Sequence, residues 1–102
     1  MFLSLEIKVN DRTQEILLIL QEECAEVTQA VSKCFRFGID NVKPGKPLTN
    51  RQHLENELGD LLAMVDLLKQ FNEIDLNNIE KAKHEKFEKL KQWSSIYENT
   101  AN

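Results

Sequence analysis

Glycine, proline and cysteine are scarce in this sequence. Its 102 residues include 3 glycines, 2 prolines and 2 cysteines. Four of the five glycines and prolines lie in residues 38–50, GIDNVKPGKPLTN, so the flanking chain has few residues that interrupt a helix. Cys24 and Cys34 are ten residues apart on one predicted helix, which is beyond disulfide reach, and neither has a second zinc ligand at the usual spacing. We therefore predict long helices joined by one long loop, without a disulfide or a zinc site.

Excess positive charge and long apolar runs are also lacking. The chain has 13 basic and 17 acidic residues, a net charge of -4, whereas general nucleic-acid binders usually present a basic surface. No apolar run approaches the length that a membrane span needs. The N-terminal stretch MFLSLEIKV has no positive leader, and its apolar run is too short for a signal peptide. We expect a cytoplasmic protein with neither nucleic acid nor membrane as a partner.

The length and the helix signals predict one domain made of helices. A chain of 102 residues with 41% apolar and 29% charged residues is typical of one globular domain, here residues 1–102. Each predicted helix follows a residue suited to cap it, namely Asn10 or Asp11, Thr49 or Asn50, and Asp75. Residues 1–9 alternate weakly and predict a short lead-in. The predicted helices cover about 12–37, 51–72 and 76–97, with a loop at 38–50, a core of about 12–97, and a frayed C-terminus at 98–102.

Helices of this length with broad apolar faces predict an all-α fold. The simplest arrangement is an antiparallel helical bundle of about three main helices per chain. Because so short a chain covers such faces poorly, we expect oligomerisation to complete the bundle. A symmetric homodimer or homotetramer is the expected assembly.

Acidic residues interrupt the apolar faces of the first two helices. At about 100° per residue, Glu23 falls within the apolar stripe of the first helix and Glu26 falls on its edge. On the second helix, Glu57 lies within the apolar arc and Asp60 lies beside it. Other acids on these two helices point away from the apolar faces: Glu22, Glu55 and Asp66.

Two inward pairs of carboxylates predict a divalent cation. Residues three apart on a helix are surface neighbours, and four buried carboxylates without a counter-charge would repel one another. A single Glu near an apolar stripe is more often a rim residue, but two matched pairs favour a metal site. Oxygen ligands suit Mg²⁺, or Mn²⁺, better than zinc. A di-iron bundle would need Glu-x-x-His pairs; here each histidine, His53 and His84, is four residues from its glutamate, and we expect both histidines at the surface.

The acidic residues also resemble a known signature. Glu22-Glu23-x-x-Glu26 followed by Glu57-x-x-Asp60 resembles the EExxE…ExxD pattern of the MazG-like all-α nucleoside triphosphate pyrophosphohydrolases. ENELGDLLAMVDLL is similar to the second motif helix of that family, and FNEIDLNNIEKAKHEKFEKL to its following turn and helix. The resemblance covers about residues 12–93, with a spacer between the motifs that is longer than usual. It implies Mg²⁺-dependent cleavage of a (d)NTP to (d)NMP and pyrophosphate, with a role in cleaning the nucleotide pool.

The resemblance also implies roles for individual residues. It places Mg²⁺ ligands at Glu23, Glu26, Glu57 and Asp60, and it gives Glu22 a catalytic role, in binding a second metal or activating water. On the third helix, Lys86 and Lys89 match a Lys-x-x-Lys-Asn motif in which Leu90 replaces the Asn. The candidate substrate contacts are Lys83, Lys86, Lys89, Arg36 and Trp93, with Lys43, Lys46 and Arg51 as further loop cations and Phe35 and Phe37 as further aromatics.

Two alternatives stay open at this point. Phosphoribosyl-ATP pyrophosphohydrolase uses related acidic motifs, although its second motif usually resembles EAADLL more than the ELGDLL found here. A non-enzymatic helical module that binds a partner through its apolar faces is the alternative from another class. That module predicts that Glu23 and Glu57 can be replaced by Gln without measurable effect.

Overall fold

The computed structural model describes residues 11–98, so the predicted lead-in at 1–9, the alternative cap Asn10 and residues 99–102 of the predicted frayed end lie outside the described residues. Within residues 11–98 there are three α-helices, α1 (Arg12–Phe37), α2 (Asn50–Gln70) and α3 (Leu76–Trp93). This part of the chain contains no strand, only an isolated antiparallel bridge between Val42 and Thr49. The predicted all-α class is confirmed. The chain divides into two compact units, the first ending at Phe71 and the second beginning at Asn72, and the single domain stays a prediction.

Helix α1 begins and ends where the sequence predicts. Asp11 caps it by accepting a 2.8 Å hydrogen bond from the backbone N–H of Thr13. Gly38 ends it with φ 93°, a conformation that side chains with a Cβ rarely adopt, and donates its N–H to the Cys34 carbonyl at 3.0 Å.

We expect Gly38→Ala to lower the free energy of unfolding by about 1–3 kcal/mol, the usual cost of a residue held in a disfavoured backbone region. The new Cβ would also lie 2.6 Å from Asn41 Nδ2. Urea denaturation measures the change. The control is Gly59→Ala, because Gly59 is within α2 and its added Cβ would meet nothing within 4 Å; equal midpoints for the two variants would contradict the prediction.

Helices α1 and α2 form an antiparallel hairpin with stabilising contacts at both ends. At one end the guanidinium of Arg12 lies over the Phe71 ring, 3.4 Å from its centroid. At the other end Asn50 is buried and donates its side-chain N–H to the Gly38 carbonyl at 2.8 Å. The buried apolar residues, Ile16 and Ala30 on α1 and Leu68 on α2, belong to the predicted apolar faces.

Helices α2 and α3 end earlier than the sequence predicts. α2 begins with a capping box in which Thr49 and Gln52 exchange hydrogen bonds. It stops at Gln70, and Asn72 has a positive φ of 58°, a backbone conformation that does not continue a right-handed helix. The predicted extension of α3 to Tyr97 is wrong. The helix ends at Trp93 because Ser94 has extended dihedral angles, φ -138° and ψ 168°. The Ser94 hydroxyl donates to the Leu90 carbonyl at 2.8 Å and so provides a partner for one of the last helix carbonyls.

Helix α3 has a solvated surface with local ion pairs. Asp75 caps it by accepting a 2.9 Å hydrogen bond from the Asn77 N–H. Lys83 pairs with Glu80 at 3.2 Å and Lys91 pairs with Glu88 at 2.9 Å, one turn apart in each case. Among the helices of residues 11–98, none has the length and apolar character to cross a membrane.

Candidate metal centre

Three acidic side chains meet where the middles of α1 and α2 face each other. Glu23 comes from α1, and Glu57 and Asp60 come from adjacent turns of α2. One carboxylate oxygen from each of them lies within 4.8 Å of those of the other two. We call these three residues the acidic triad. The antiparallel hairpin produces this meeting, since it brings two helix positions that are 34 residues apart in the chain (57 − 23 = 34) to the same level.

Electrostatic repulsion inside the acidic triad is not offset by nearby cationic side chains. The pKa of Glu23 is raised, chiefly because the carboxylate loses hydration and then because Asp60, Glu57, Glu26 and Glu22 repel its charge. Within residues 11–98, no lysine or arginine forms an ion pair with a member of the triad. Oxygen donors with unbalanced negative charge are the set that a hard divalent cation prefers, so the residues fit the metal that the family pattern implies.

The other two predicted acids of α1 lie near the triad but apart from it. Glu26 is exposed and does not belong to the group of oxygens within 4.8 Å. Glu22 is also exposed. Both are close enough for their charges to raise the pKa of Glu23. Their roles as metal ligand and catalytic residue stay predictions.

His53 is a neighbour of the triad that the sequence reasoning missed. Its Nε2 lies 3.6 Å from a carboxylate oxygen of Glu57, whose side chain is only 14% exposed. Of the two histidines expected at the surface, His84 is exposed, and His53 is partly exposed, with 37% of its side chain accessible to solvent. The spacing of four residues between His53 and Glu57 places both on one helix face. This spacing is the feature of the sequence that could have identified His53 as a neighbour of the triad.

The predicted substrate contacts are exposed. Lys83 forms the ion pair with Glu80, while Lys86 and Lys89 extend from the solvated surface of α3. Trp93, at the end of α3, is 79% exposed. Arg36 lies at the end of α1 with its guanidinium 4.8 Å from the Phe37 ring centroid. Contact of these residues with a substrate stays a prediction.

Two cavities lie beside the loop that joins α1 to α2. The first, of about 370 Å³, is lined by side chains that include Lys33, Lys43, Lys46 and His53. We call it the lysine cavity. The second, of about 400 Å³, is lined by loop residues and by the aromatic side chain of Phe37. The positions of Lys33 and His53 in a cavity wall were not predicted from the sequence.

Comparison with known proteins gave one match, and it covers most of the chain. The family model of the MazG nucleotide pyrophosphohydrolase domain matches residues 11–94. This range includes both acidic pairs and all of α1, α2 and α3. Neither the comparison with curated proteins nor the comparison with solved structures produced a match.

Proposed function

Since this chain belongs to the MazG nucleotide pyrophosphohydrolase family, we propose that it cleaves a (d)NTP to (d)NMP and pyrophosphate with Mg²⁺ as its cofactor. The family supports nucleotide pyrophosphohydrolysis in general and dependence on a divalent metal. The observation that supports Mg²⁺ here is the acidic triad, with three carboxylate oxygens within 4.8 Å of one another. Mn²⁺ has the same ligand preference and is the second candidate.

In the proposed reaction, Glu23, Glu57 and Asp60 hold the metal, and Glu26 is a further ligand. When bound, Mg²⁺ neutralises phosphate charge and makes a bound water more acidic. Glu22 is the proposed base that accepts a proton from the attacking water. The anhydride bond between the α- and β-phosphates breaks, and the two halves take up the elements of one water molecule to give (d)NMP and pyrophosphate.

Substrate binding is assigned to cationic and aromatic side chains. Lys83, Lys86, Lys89 and Arg36 are the proposed phosphate contacts, because cationic side chains form strong charge-assisted hydrogen bonds with phosphate oxygens. Trp93 is the proposed base contact, since an exposed indole offers a flat apolar surface for stacking.

We also propose that two or four copies of this chain associate. Large apolar residues of the first unit are exposed, including Leu62 at 57%, Leu17 at 48% and Phe35 at 85%. A symmetric contact between copies would remove such surface from water. Sedimentation velocity at micromolar concentration should give the mass of a dimer or tetramer; a sedimenting monomer would refute the assembly.

The proposed physiological role is removal of unwanted nucleotides from the cytoplasmic pool. The substrate is then a free nucleotide, and neither nucleic acid nor a membrane is a partner. The net charge of -4 supports this, since an acidic surface repels a polynucleotide.

The function is tested by measuring products from a panel of NTPs and dNTPs, with Mg²⁺, with Mn²⁺ and with EDTA. We expect equimolar monophosphate and pyrophosphate that disappear in EDTA. Release of orthophosphate instead would contradict cleavage at the α–β bond. Activity restricted to phosphoribosyl-ATP would favour that pyrophosphohydrolase, and a panel without any hydrolysis would favour a non-enzymatic interaction module.

A further inference from the structure

The lysine cavity concentrates positive charge in a protein that is acidic overall. Three lysines line it: Lys33, from the last third of α1, and Lys43 and Lys46, from the loop. Within the described residues, none of the three forms an ion pair with an acid, whereas Lys69, Lys83 and Lys91 each do. Among residues 11–98, no Asp or Glu lines the cavity. Its lining is therefore electrostatically suited to an anion that carries several charges.

The loop backbone holds two of these lysines together. Lys43 and Lys46 are the first and last residues of a tight turn, closed by a 2.9 Å hydrogen bond from the Lys46 N–H to the Lys43 carbonyl. Pro44 and Gly45, the latter with φ 80°, take the two central positions, which is the residue pattern of a type II turn. The first and last Cα atoms of such a turn lie within about 7 Å of each other, and both side chains line the same cavity.

The amide groups at the start of α2 cannot replace the lysines as anion donors. The N–H of Asn50 donates to the Asn41 carbonyl at 2.9 Å, and the N–H of Arg51 donates to the Ile39 carbonyl at 2.8 Å. The next N–H, that of Gln52, donates to the Thr49 hydroxyl. An anion in the lysine cavity is therefore not held by these three amide groups.

The lysine cavity and the acidic triad share His53. This side chain lines the cavity, and its Nε2 lies 3.6 Å from Glu57 of the triad. Along α2, four residues separate His53 from Glu57, a rise of about 6 Å. A chain of linked phosphates is long enough to cover this rise. A single orthophosphate is too short to do so.

We propose that the lysine cavity binds the pyrophosphate portion of the nucleotide substrate and the pyrophosphate product. This inference rests on the proposed function and adds the site at which the leaving group is held. Lys33, Lys43 and Lys46 donate hydrogen bonds to the β- and γ-phosphate oxygens, and His53 lies between these phosphates and the triad. Specificity for a triphosphate over a monophosphate follows, because a monophosphate has no group that reaches the lysines.

The test is calorimetric binding of inorganic pyrophosphate to the full chain in EDTA, which excludes the metal contribution. We expect Lys43→Gln with Lys46→Gln to weaken binding by at least about 10-fold, since hydrogen bonds to charged groups are among the stronger polar contacts. Lys69→Gln with Lys81→Gln removes the same charge outside the cavity and should bind pyrophosphate like the unchanged protein. Circular dichroism checks that both double variants fold.

The inference and the proposed function can fail separately. Glu57→Gln, which is expected to lack activity, should still bind pyrophosphate in EDTA in a manner that depends on Lys43 and Lys46. Equal affinities of the two double variants, or no pyrophosphate binding by the unchanged protein in EDTA, would overturn the inference even if hydrolysis is observed. Lysine-dependent binding without hydrolysis of any nucleotide would keep the pyrophosphate site and reject the proposed reaction.

Discussion

Glu57→Gln should lower the rate of Mg²⁺-dependent pyrophosphate release by more than about 100-fold. Removal of groups that merely support metal ligands costs about 10–100-fold, and loss of a ligand itself should cost more. Glu57 belongs to the acidic triad, and its side chain is only 14% exposed. The substitution keeps the size of the side chain but replaces one anionic oxygen with an N–H₂ donor, which cannot bind a cation.

The matched control is Glu55→Gln, on the same helix and with the same change of charge. Glu55 is exposed and lies outside the triad. The Glu55→Gln variant should therefore release pyrophosphate at a rate within about twofold of that of the unchanged protein. Stability provides a second readout. Removing one of three mutually repelling charges should leave the metal-free Glu57→Gln protein at least as stable as before. Loss of activity together with unfolding would mean that Glu57 is a structural residue instead.

Mg²⁺ should raise the melting temperature at neutral pH. Free Mg²⁺ at ten times its Kd stabilises the native state by about 1.4 kcal/mol. In a domain of this size that corresponds to an increase of about 6–11 °C. Differential scanning fluorimetry with a Mg²⁺ titration measures it, and Glu23→Gln should respond much less. If Mg²⁺ changed the melting temperature of neither the unchanged protein nor Glu23→Gln, the result would contradict the proposed metal centre.

The pH dependence of this stabilisation has a definite sign. Because the pKa of Glu23 is raised in the folded protein, the native state holds this proton more tightly than the unfolded chain does. Without metal, the stability contributed by this proton is present below the ordinary glutamate pKa and is lost as the pH rises through the raised native pKa. Mg²⁺ needs the deprotonated carboxylate, so its stabilising effect should instead disappear as the pH falls through the same range. Melting curves between pH 4 and pH 8, with and without Mg²⁺, should converge at the acidic end.

The helix bounds were predictable where a local chemical signal set them. Asp11, Thr49 and Asp75 cap the three helices, and Gly38 ends the first one, as the sequence predicts. The end of α3 was not predictable from periodicity, because the apolar spacing continues to Tyr97. The helix ends four residues earlier, at Trp93, where Ser94 adopts extended dihedral angles and its hydroxyl donates to the Leu90 carbonyl.

The candidate site was predictable only as far as helix periodicity specifies a direction. A helical wheel indicates which face Glu23, Glu57 and Asp60 share, and the structure places their carboxylate oxygens together. A helical wheel cannot give the distance between positions on two different helices. The sequence prediction therefore grouped Glu26 with the other three acids, although Glu26 lies outside the triad. The lysine cavity could not be predicted from the sequence for a related reason. Its wall combines Lys33 of α1, a loop turn and His53 of α2, and only the closure of the loop brings them together.

Asn50 has a consequence for how this protein can diversify. Its side-chain N–H donates to the Gly38 carbonyl, and the backbone N–H of Arg51 donates to the Ile39 carbonyl. These hydrogen bonds join the start of the loop, after α1, to the start of α2. Residues 42–48 can therefore lengthen, shorten or change their charge while Glu23 and Glu57 keep their relative positions. The acidic triad and the part of the cavity wall formed by the loop can therefore change independently, so mutations in the loop can alter the charge of the cavity without moving the triad.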